Sequence, residues 1–347
     1  MQISETLSCK MRNMAMLCAF FVVMIHCRPQ FEVGTFAWWI KQLTEEGITR
    51  VAVPYFFSVS GFVAAVKFGH DGYKSLVLKR VRTLLLPFAI WTLLFWIFLF
   101  ACSCIAQRGI NWEMLSITGH PLIFVKHLGF WPMGFPALTP LWYVRALLFL
   151  TLAFPLLRCC VRKFGLAWIV VMFALYAVRI VPLNVIGWDI LRAFAGFGLW
   201  PVEGLVYYSL GIWLCDNQRH LGQGKSLVCL VNLLIGLVLA GIKVPLHMAG
   251  FGVGAGAIRF LMIPFMLFGV WGLMSDKRLP TWLVSYSFAI YLVHKFILHL
   301  LKYVWSAGDG LFQYFSMAVI AFMVSHAIAV AMHRFIPRIS AILFGGR

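Results

Sequence analysis

Charged residues are scarce in this chain, where Asp, Glu, Lys and Arg make up 12% of 347 residues and only 11 residues are acidic. Soluble domains contain about 25% charged residues. Here 62% of the residues are hydrophobic and the mean hydropathy is +0.91. The composition therefore excludes a water-soluble fold and indicates an integral membrane protein. The net charge of +18 does not predict nucleic-acid binding, because the basic residues are dispersed between apolar segments.

Motifs for nucleotide and metal chemistry are also missing. The sequence contains no G-x-G-x-x-G, no Walker loop, no H-E-x-x-H and no zinc-ligand spacing, so we expect no metal cofactor. The nine cysteines form no C-x-x-C pair and lie in or beside apolar segments. We therefore interpret them as structural thiols.

Apolar segments of suitable length for spans run from end to end of the chain. A helix needs roughly 20 residues to cross the bilayer core, and the segments lack the alternation of a transmembrane β-barrel. We predict an all-α, polytopic bundle of about ten spans in a single domain, residues 1–347, with no appended soluble domain. The predicted spans are Met11 to Cys27, Ile48 to Phe68, Thr83 to Ala106, Leu141 to Leu157, Phe164 to Val181, Arg192 to Cys215, Ser226 to Val244, Gly254 to Met274, Thr281 to Leu301 and Leu311 to Phe335.

Basic residues give this bundle an orientation. With the N-terminus in the cytoplasm, more than half of the 29 Lys and Arg residues lie in loops or span ends on the cytoplasmic side. We therefore expect both termini to be cytoplasmic. The long connection 107–140 is predicted to be an ordered outer loop or re-entrant element. Pro155, inside the fourth predicted span, suggests a kink rather than an end.

Ionisable side chains inside the predicted spans carry the functional signal, because each is costly in lipid and normally faces the bundle interior. They are His26, Arg145, Glu203, Arg259 and His294. His26 follows Arg12 by fourteen residues, so both lie on one helical face, roughly 21 Å apart along the axis. A neutral imidazole in this position can act as a general base. The alternative is a histidine that simply hydrogen-bonds to backbone.

Two further features leave alternatives open. Glu203 is the only carboxylate well inside a predicted span, and Arg192 lies three turns earlier on the same face. Glu203 is either a proton carrier, a member of a buried ion pair, or the structural partner of a neighbouring arginine such as Arg145 or Arg259. A basic cluster lies where the second and third spans meet the cytoplasm. It can set the topology, contact lipid or bind phosphate, and it consists of Lys79, Arg80 and Arg82.

The order of short motifs along the chain is more specific than any one of them. The motifs are VVMIH in span one, PYFFSVSGF in span two, KRVRTLLLPFAIW entering span three, LWYVRALL entering span four and IYLVH in span nine. Together they resemble the membrane-bound acyltransferase 3 family over essentially the whole chain. The resemblance implies a multi-pass enzyme of the bacterial inner membrane. It would transfer an acyl group, commonly acetyl, from cytoplasmic acyl-CoA to a hydroxyl of a cell-envelope glycan or lipid-linked glycan.

The same resemblance assigns residue roles. The arginine and histidine of the family's first span correspond to Arg12 and His26, and the basic motif near the CoA phosphates corresponds to Lys79, Arg80 and Arg82. The family most often has ten residues between the arginine and the histidine, whereas here thirteen intervene and Ala15 holds the usual arginine position. Arg12 therefore lies about 4.5 Å closer to the cytoplasm.

A mechanism follows as a hypothesis. His26 removes the proton from the acceptor hydroxyl, the alkoxide attacks the thioester, and Ser60 or Arg145 stabilises the oxyanion. His294 supports packing or the acceptor site. A cavity lined by His26 and the Lys79 cluster would favour this transferase. A secondary transporter or flippase and a non-catalytic partner in polysaccharide assembly are the alternatives.

Overall fold

The computed structural model describes residues 3–27, 31–105, 138–180, 202–221, 226–305 and 310–346. These residues form helices and no strand, which confirms the all-α class. The helices are α1 (Glu5–His26), α2 (Phe36–Glu46), α3 (Ala52–Arg80), α4 (Leu86–Ile105), α5 (Trp142–Leu152), α6 (Phe154–Phe164), α7 (Leu166–Ile180), α8 (Val202–Asp216), α9 (Ser226–Met248), α10 (Gly252–Leu273), α11 (Thr281–Val284), α12 (Ser287–Val304), α13 (Leu311–Phe335) and α14 (Pro337–Leu343). A π-helix (Val81–Leu85) joins α3 to α4.

Six helical stretches in the described part of the chain are long and apolar enough to cross a membrane. They are Glu5–His26, Phe36–Gly69, Gly72–Leu99, Ser226–Met248, Gly254–Leu273 and Leu311–Phe335. The bent pair Thr139–Leu152 and Phe154–Phe164 makes a seventh if it is counted as one span. The predicted outer connection lies almost entirely outside the described residues. The count of about ten spans and the cytoplasmic placement of both termini stay predictions.

The fourth predicted span is bent. α5 and α6 meet at 68°, and Pro155 lies in the first turn of α6. Proline fixes φ and has no backbone N–H, so the hydrogen-bond ladder of α5 cannot continue through it. The kink predicted at this proline is confirmed.

α1 lies in the core of the bundle and packs against α3, α12 and α13. Its residues Met14, Cys18 and Val23 are all 0% exposed. The Asn13 amide donates to two carbonyls of the segment after α10, those of Ser275 and Lys277. The helix that carries His26 is therefore fixed along its length by neighbours on several sides.

The contacts of α1 define two ends of the molecule. The Cys27 thiol donates to the carbonyl of Tyr314, at the start of α13, so α13 runs antiparallel to α1. α14 follows the far end of α13, and Gly345, just beyond α14, packs against the Thr83 carbonyl. Val59 lines one cavity with Thr83 and another with Leu7 and Met11 of α1, so Thr83 lies on the side of the molecule that we name the Glu5 end. His26 lies at the opposite end, which we name the His26 end.

α3 and α8 cross with their backbones in direct contact, because glycine stands at the crossing point on both helices. A Cβ atom added at Gly61 would lie 2.1 Å from the Tyr208 carbonyl oxygen, and one added at Gly211 would lie 1.8 Å from the Ser58 oxygen. Small residues allow such close approach between membrane helices. This crossing holds the PYFFSVSGF segment of α3 in place.

We expect Gly211→Ala to destabilise the protein by about 1–3 kcal/mol, the usual cost of overpacking a tight contact. Thermal unfolding in detergent measures this as a lowered midpoint. Gly241→Ala is the matched control, because a Cβ atom at Gly241 meets nothing within 4 Å. Equal midpoints for the two variants would contradict the close crossing.

Candidate active site

A basic cavity of about 350 Å³ opens at the Glu5 end, where α3 meets α4. Arg80 is only 8% exposed, whereas Lys79 is exposed. Three cations therefore converge on one cavity, which suits an anionic ligand. The polar and basic residues that line it are Ser60, Lys67, Lys79, Arg80 and Thr83.

The π-helix next to this cavity separates the arginines of the predicted cluster. Residues 81–85 form the π-helical turn, and such turns are frequent at functional sites. Arg80, just before this turn, is buried and lines the cavity, whereas Arg82 inside the turn is exposed and lies outside the cavity lining. The structure therefore brings together two members of the predicted cluster, Lys79 and Arg80, and adds Lys67.

The C-terminal segment forms one wall of the basic cavity through Gly345 and Gly346. Both glycines have positive φ angles, 68° and 67°. A Cβ atom on Gly345 would lie 2.3 Å from the Thr83 carbonyl oxygen, so only glycine allows this packing. The segment is anchored by Trp91, whose indole N–H donates to the Leu343 carbonyl at 2.8 Å.

Two histidines from different helices meet at the His26 end. The ring centroids of His26 and His294 are 5.2 Å apart, and the ring planes are tilted by 32°. His294 is 0% exposed, and its Nδ1 lies 3.1 Å from the Ile290 carbonyl oxygen. A carbonyl only accepts, so Nδ1 carries the proton and Nε2 of the neutral ring holds a lone pair. Nε2 is buried and has no hydrogen-bond partner among the described residues.

A line of side chains connects the basic cavity to this histidine pair. The Ser60 hydroxyl, in the cavity wall, lies 3.1 Å from the Tyr143 hydroxyl. The Tyr143 ring contacts the Tyr291 ring, with centroids 5.9 Å apart, and the Tyr291 ring lies 6.3 Å from the His294 ring. The Tyr291 hydroxyl donates to the Pro140 carbonyl, which fixes the ring.

The expectation of one cavity lined by both His26 and the Lys79 cluster is not met. Lys79 lines the basic cavity, but His26 is not among its lining residues. The physical reason is that the cavity ends at Ser60, whereas His26 is the last residue of α1. Ser60, Tyr143, Tyr291 and His294 fill the space between them.

Arg12 and Arg145 lie apart from the histidine pair. The Arg12 guanidinium turns back along its own helix, donating to the Ser8 carbonyl and the Cys9 sulfur at 3.4 and 3.7 Å. Arg145 is 7% exposed and lines a smaller, mostly apolar cavity of about 190 Å³ together with Arg80. Neither arginine lines the basic cavity.

Glu203 lies opposite an arginine of α10, one of the partners suggested from the sequence. Its carboxylate lies 3.9 Å from the Arg259 guanidinium. A second ion pair, with 2.6 Å between its atoms, joins Glu46 to Lys243. Arg192, another suggested partner of Glu203, lies outside the described residues. The charge at Glu203 is therefore neutralised by a neighbouring helix, which removes one argument for a carrier.

Sequence reasoning missed several residues of this arrangement, namely Lys67, Tyr143, Tyr291, Gly345 and Gly346. A long-range contact, such as Ser60 with Tyr143, leaves no local spacing pattern. The pair of glycines after a basic C-terminal segment was the one visible signal. Among the described residues, no group of three or more His, Cys, Asp or Glu side chains could hold a metal ion.

A helical membrane bundle with a basic cavity at one end and a histidine pair at the other suits a transferase that uses an anionic donor. Comparison with known proteins identifies the family of this chain. The family model described as acyltransferase domain matches residues 14–334, and the chain belongs to this acyltransferase 3 family. It is similar to the succinoglycan biosynthesis protein ExoH of Rhizobium meliloti (strain 1021), with 26% identity over 360 residues, 98% of this chain and 92% of the relative. No solved structure is significantly similar to the chain.

We expect Glu203→Gln to destabilise the protein by roughly 3 kcal/mol, because removing one partner leaves the Arg259 charge uncompensated. Acyl transfer per folded molecule should stay near that of the unchanged protein. Glu5→Gln is the control, since Glu5 pairs with Arg278 at the surface and is 73% exposed. A stable Glu203→Gln protein without transfer would show that Glu203 is functional instead.

Proposed function

We propose that this protein is a membrane-bound O-acyltransferase that moves an acyl group, in the first place acetyl, from cytoplasmic acyl-CoA to a hydroxyl of a cell-envelope glycan or lipid-linked glycan. One observation carries the proposal. The basic cavity at the Glu5 end is joined through Ser60, Tyr143, Tyr291 and His294 to His26 at the other end. Family membership supports the reaction class.

The donor would bind at the Glu5 end. CoA carries several phosphate charges, and the cavity offers Lys67, Lys79 and the buried Arg80 as counter-charges. A buried guanidinium is well suited to bidentate phosphate binding. The concentration of basic residues at this end indicates the cytoplasm by the positive-inside rule. That side of a bacterial inner membrane is where acyl-CoA is available.

The thioester would lie deeper in the bundle than the phosphates. The pantetheine arm would extend past Ser60, whose hydroxyl is in the cavity wall next to Tyr143. A hydroxyl donor in this position can stabilise the negative oxygen of the tetrahedral intermediate. Of the two residues considered for this role, Ser60 is favoured over Arg145, because Arg145 lines the separate, smaller cavity.

The transfer step would use the histidine pair. His26 takes the proton of the acceptor hydroxyl, the oxygen attacks the thioester carbon, the C–S bond breaks, and the thiolate leaves and is protonated as CoA thiol. The lone pair of His294 Nε2 would accept an N–H bond from His26 in the reacting complex. Such hydrogen bonds often tighten only when substrates are bound. This hydrogen bond would keep the proton of His26 on one ring nitrogen, so that the other ring nitrogen keeps its lone pair and can act as the base.

The acceptor would approach His26 from the His26 end, which is the non-cytoplasmic side if both termini are cytoplasmic, as the basic residues predict. The relative ExoH is named for succinoglycan biosynthesis, and succinoglycan is a polysaccharide. This supports a glycan hydroxyl as the acceptor. A direct test is to incubate membranes with labelled acetyl-CoA and to extract the envelope glycans. Label in the glycan fraction that depends on this protein supports the proposal, and label that is the same without the protein contradicts it.

We expect Arg80→Gln and Arg82→Gln to differ in their affinity for CoA. Arg80 is buried in the cavity wall, so its loss should weaken CoA binding about tenfold, the range expected for one charge-assisted hydrogen bond. Arg82 is exposed outside the cavity and serves as the control, which should bind CoA nearly as well as the unchanged protein. Calorimetric titration of the purified proteins with CoA measures both. An equal loss of CoA affinity in the two variants would mean that the cavity does not bind the donor.

His26→Ala should lower acyl transfer by a factor of about 10² to 10⁴, the usual contribution of a general base. The amount of protein in the membrane should not change, since His26 is the last residue of α1 and only partly buried. His247→Ala, at an exposed histidine of α9, is the matched control and should transfer normally. Normal transfer by the His26→Ala protein would refute its role as the base.

A further inference from the structure

A second, larger cavity lies next to the basic cavity, and Val59 of α3 lines both. Its volume is about 450 Å³, within the usual range for ligand cavities. It is enclosed by α1, α3, α8 and α10, and Leu166 and Phe268 in its wall are 56% and 55% exposed on the outer surface. In a membrane this surface faces lipid, so the cavity is accessible from the bilayer.

The walls of this cavity offer few groups to a polar ligand, and one of them, the buried indole N–H of Trp271, has no hydrogen-bond partner among the described residues. The Tyr55 hydroxyl already donates to the Met11 carbonyl, and the Ser58 hydroxyl donates to the Pro54 carbonyl at 2.9 Å. Water needs two or more polar partners to be held in such a space. The chemistry of the walls therefore selects a hydrocarbon chain.

A polar pocket of about 180 Å³ adjoins the apolar cavity at the Glu5 end, and Leu7 and Leu221 line both. Lys10 lines this pocket and is 4% exposed. Its ammonium group lies 4.9 Å from the centre of the Trp271 ring, which belongs to the wall of the apolar cavity. Asp276 also lines the pocket, and its negative charge stabilises the Lys10 cation.

In the described part of the chain the Lys10 ammonium contacts the Trp271 ring and has the Asp276 carboxylate as a neighbour, without a hydrogen-bonded counter-charge. A buried cation without a hydrogen-bonded counter-charge is unfavourable. The pocket is polar and lies at the level of the first turns of α1, where a lipid headgroup would lie. An anion placed there would lie directly above the apolar cavity.

We propose that the two spaces together form a binding site for an anionic phospholipid. The phosphate group lies against Lys10, and one acyl chain fills the apolar cavity between α1 and α10. The Glu5 end has the basic residues expected at the cytoplasmic leaflet, where anionic lipids are concentrated. The bound lipid fixes the helix that carries His26. The site does not depend on the transfer reaction.

The test uses the full chain in nanodiscs that contain equal amounts of phosphatidylglycerol and phosphatidylcholine with the same acyl chains. After extraction, native mass spectrometry counts the lipid that stays bound. The unchanged protein should retain phosphatidylglycerol in preference to phosphatidylcholine. Lys10→Gln should reduce that preference about tenfold, as for the loss of one charge-assisted contact. Lys10→Arg should keep most of it.

Two more variants complete the experiment. Leu214→Trp fills the apolar cavity and should reduce the retention of both lipids. Arg278→Gln changes a 74% exposed arginine of the same end and should leave the retention of both lipids unchanged. Equal retention of the two lipids by the unchanged protein would overturn the proposal. Displacement of the lipid by palmitoyl-CoA but not by acetyl-CoA would also overturn it, because the cavity would then hold the donor's chain.

Discussion

The bilayer interior does not hydrate polar groups, and the arrangement of this bundle follows from that constraint. Glu203 is paired with Arg259, and Glu46 with Lys243, across helices. The cost of an unpaired buried charge explains why these side chains meet. Two features belong to the candidate site: His294 keeps a buried nitrogen without a hydrogen-bond partner among the described residues, and Lys67, Lys79 and Arg80 line one cavity at the Glu5 end.

The two ends of α1 separate the donor from the base. The basic cavity lies near the start of the helix, and His26 is its last residue. A donor bound at one end therefore has to reach through the bundle, past Ser60 and Tyr143, before its thioester meets the histidine pair. In the proposed reaction, this geometry would let one membrane domain join an acyl donor at the Glu5 end to an acceptor at the His26 end. The close crossing of α3 and α8 fixes the position of α3, which carries Ser60 on this path.

The sequence predicted the features that depend on local pattern. Apolar composition gave the all-α membrane class, and the motif order gave the family, which the comparison confirms. Which of Arg80 and Arg82 faces the cavity was not predictable, because residues two apart lie on opposite faces of a helix and the packing of neighbouring helices decides which face is buried. The contact of Ser60 with Tyr143 joins positions 83 residues apart, and such contacts leave no mark in spacing. The Glu46 to Lys243 pair was missed because Glu46 was assigned to a loop before the second span.

The most direct test of this account is the sidedness of transfer in proteoliposomes whose orientation is known from protease access to the termini. Acetyl-CoA is supplied on one side of the membrane and a hydroxyl-bearing envelope glycan on the other. The account predicts transfer only when acetyl-CoA is on the side of Glu5 and the glycan is on the side of His26. Equal transfer with the two substrates exchanged would contradict it.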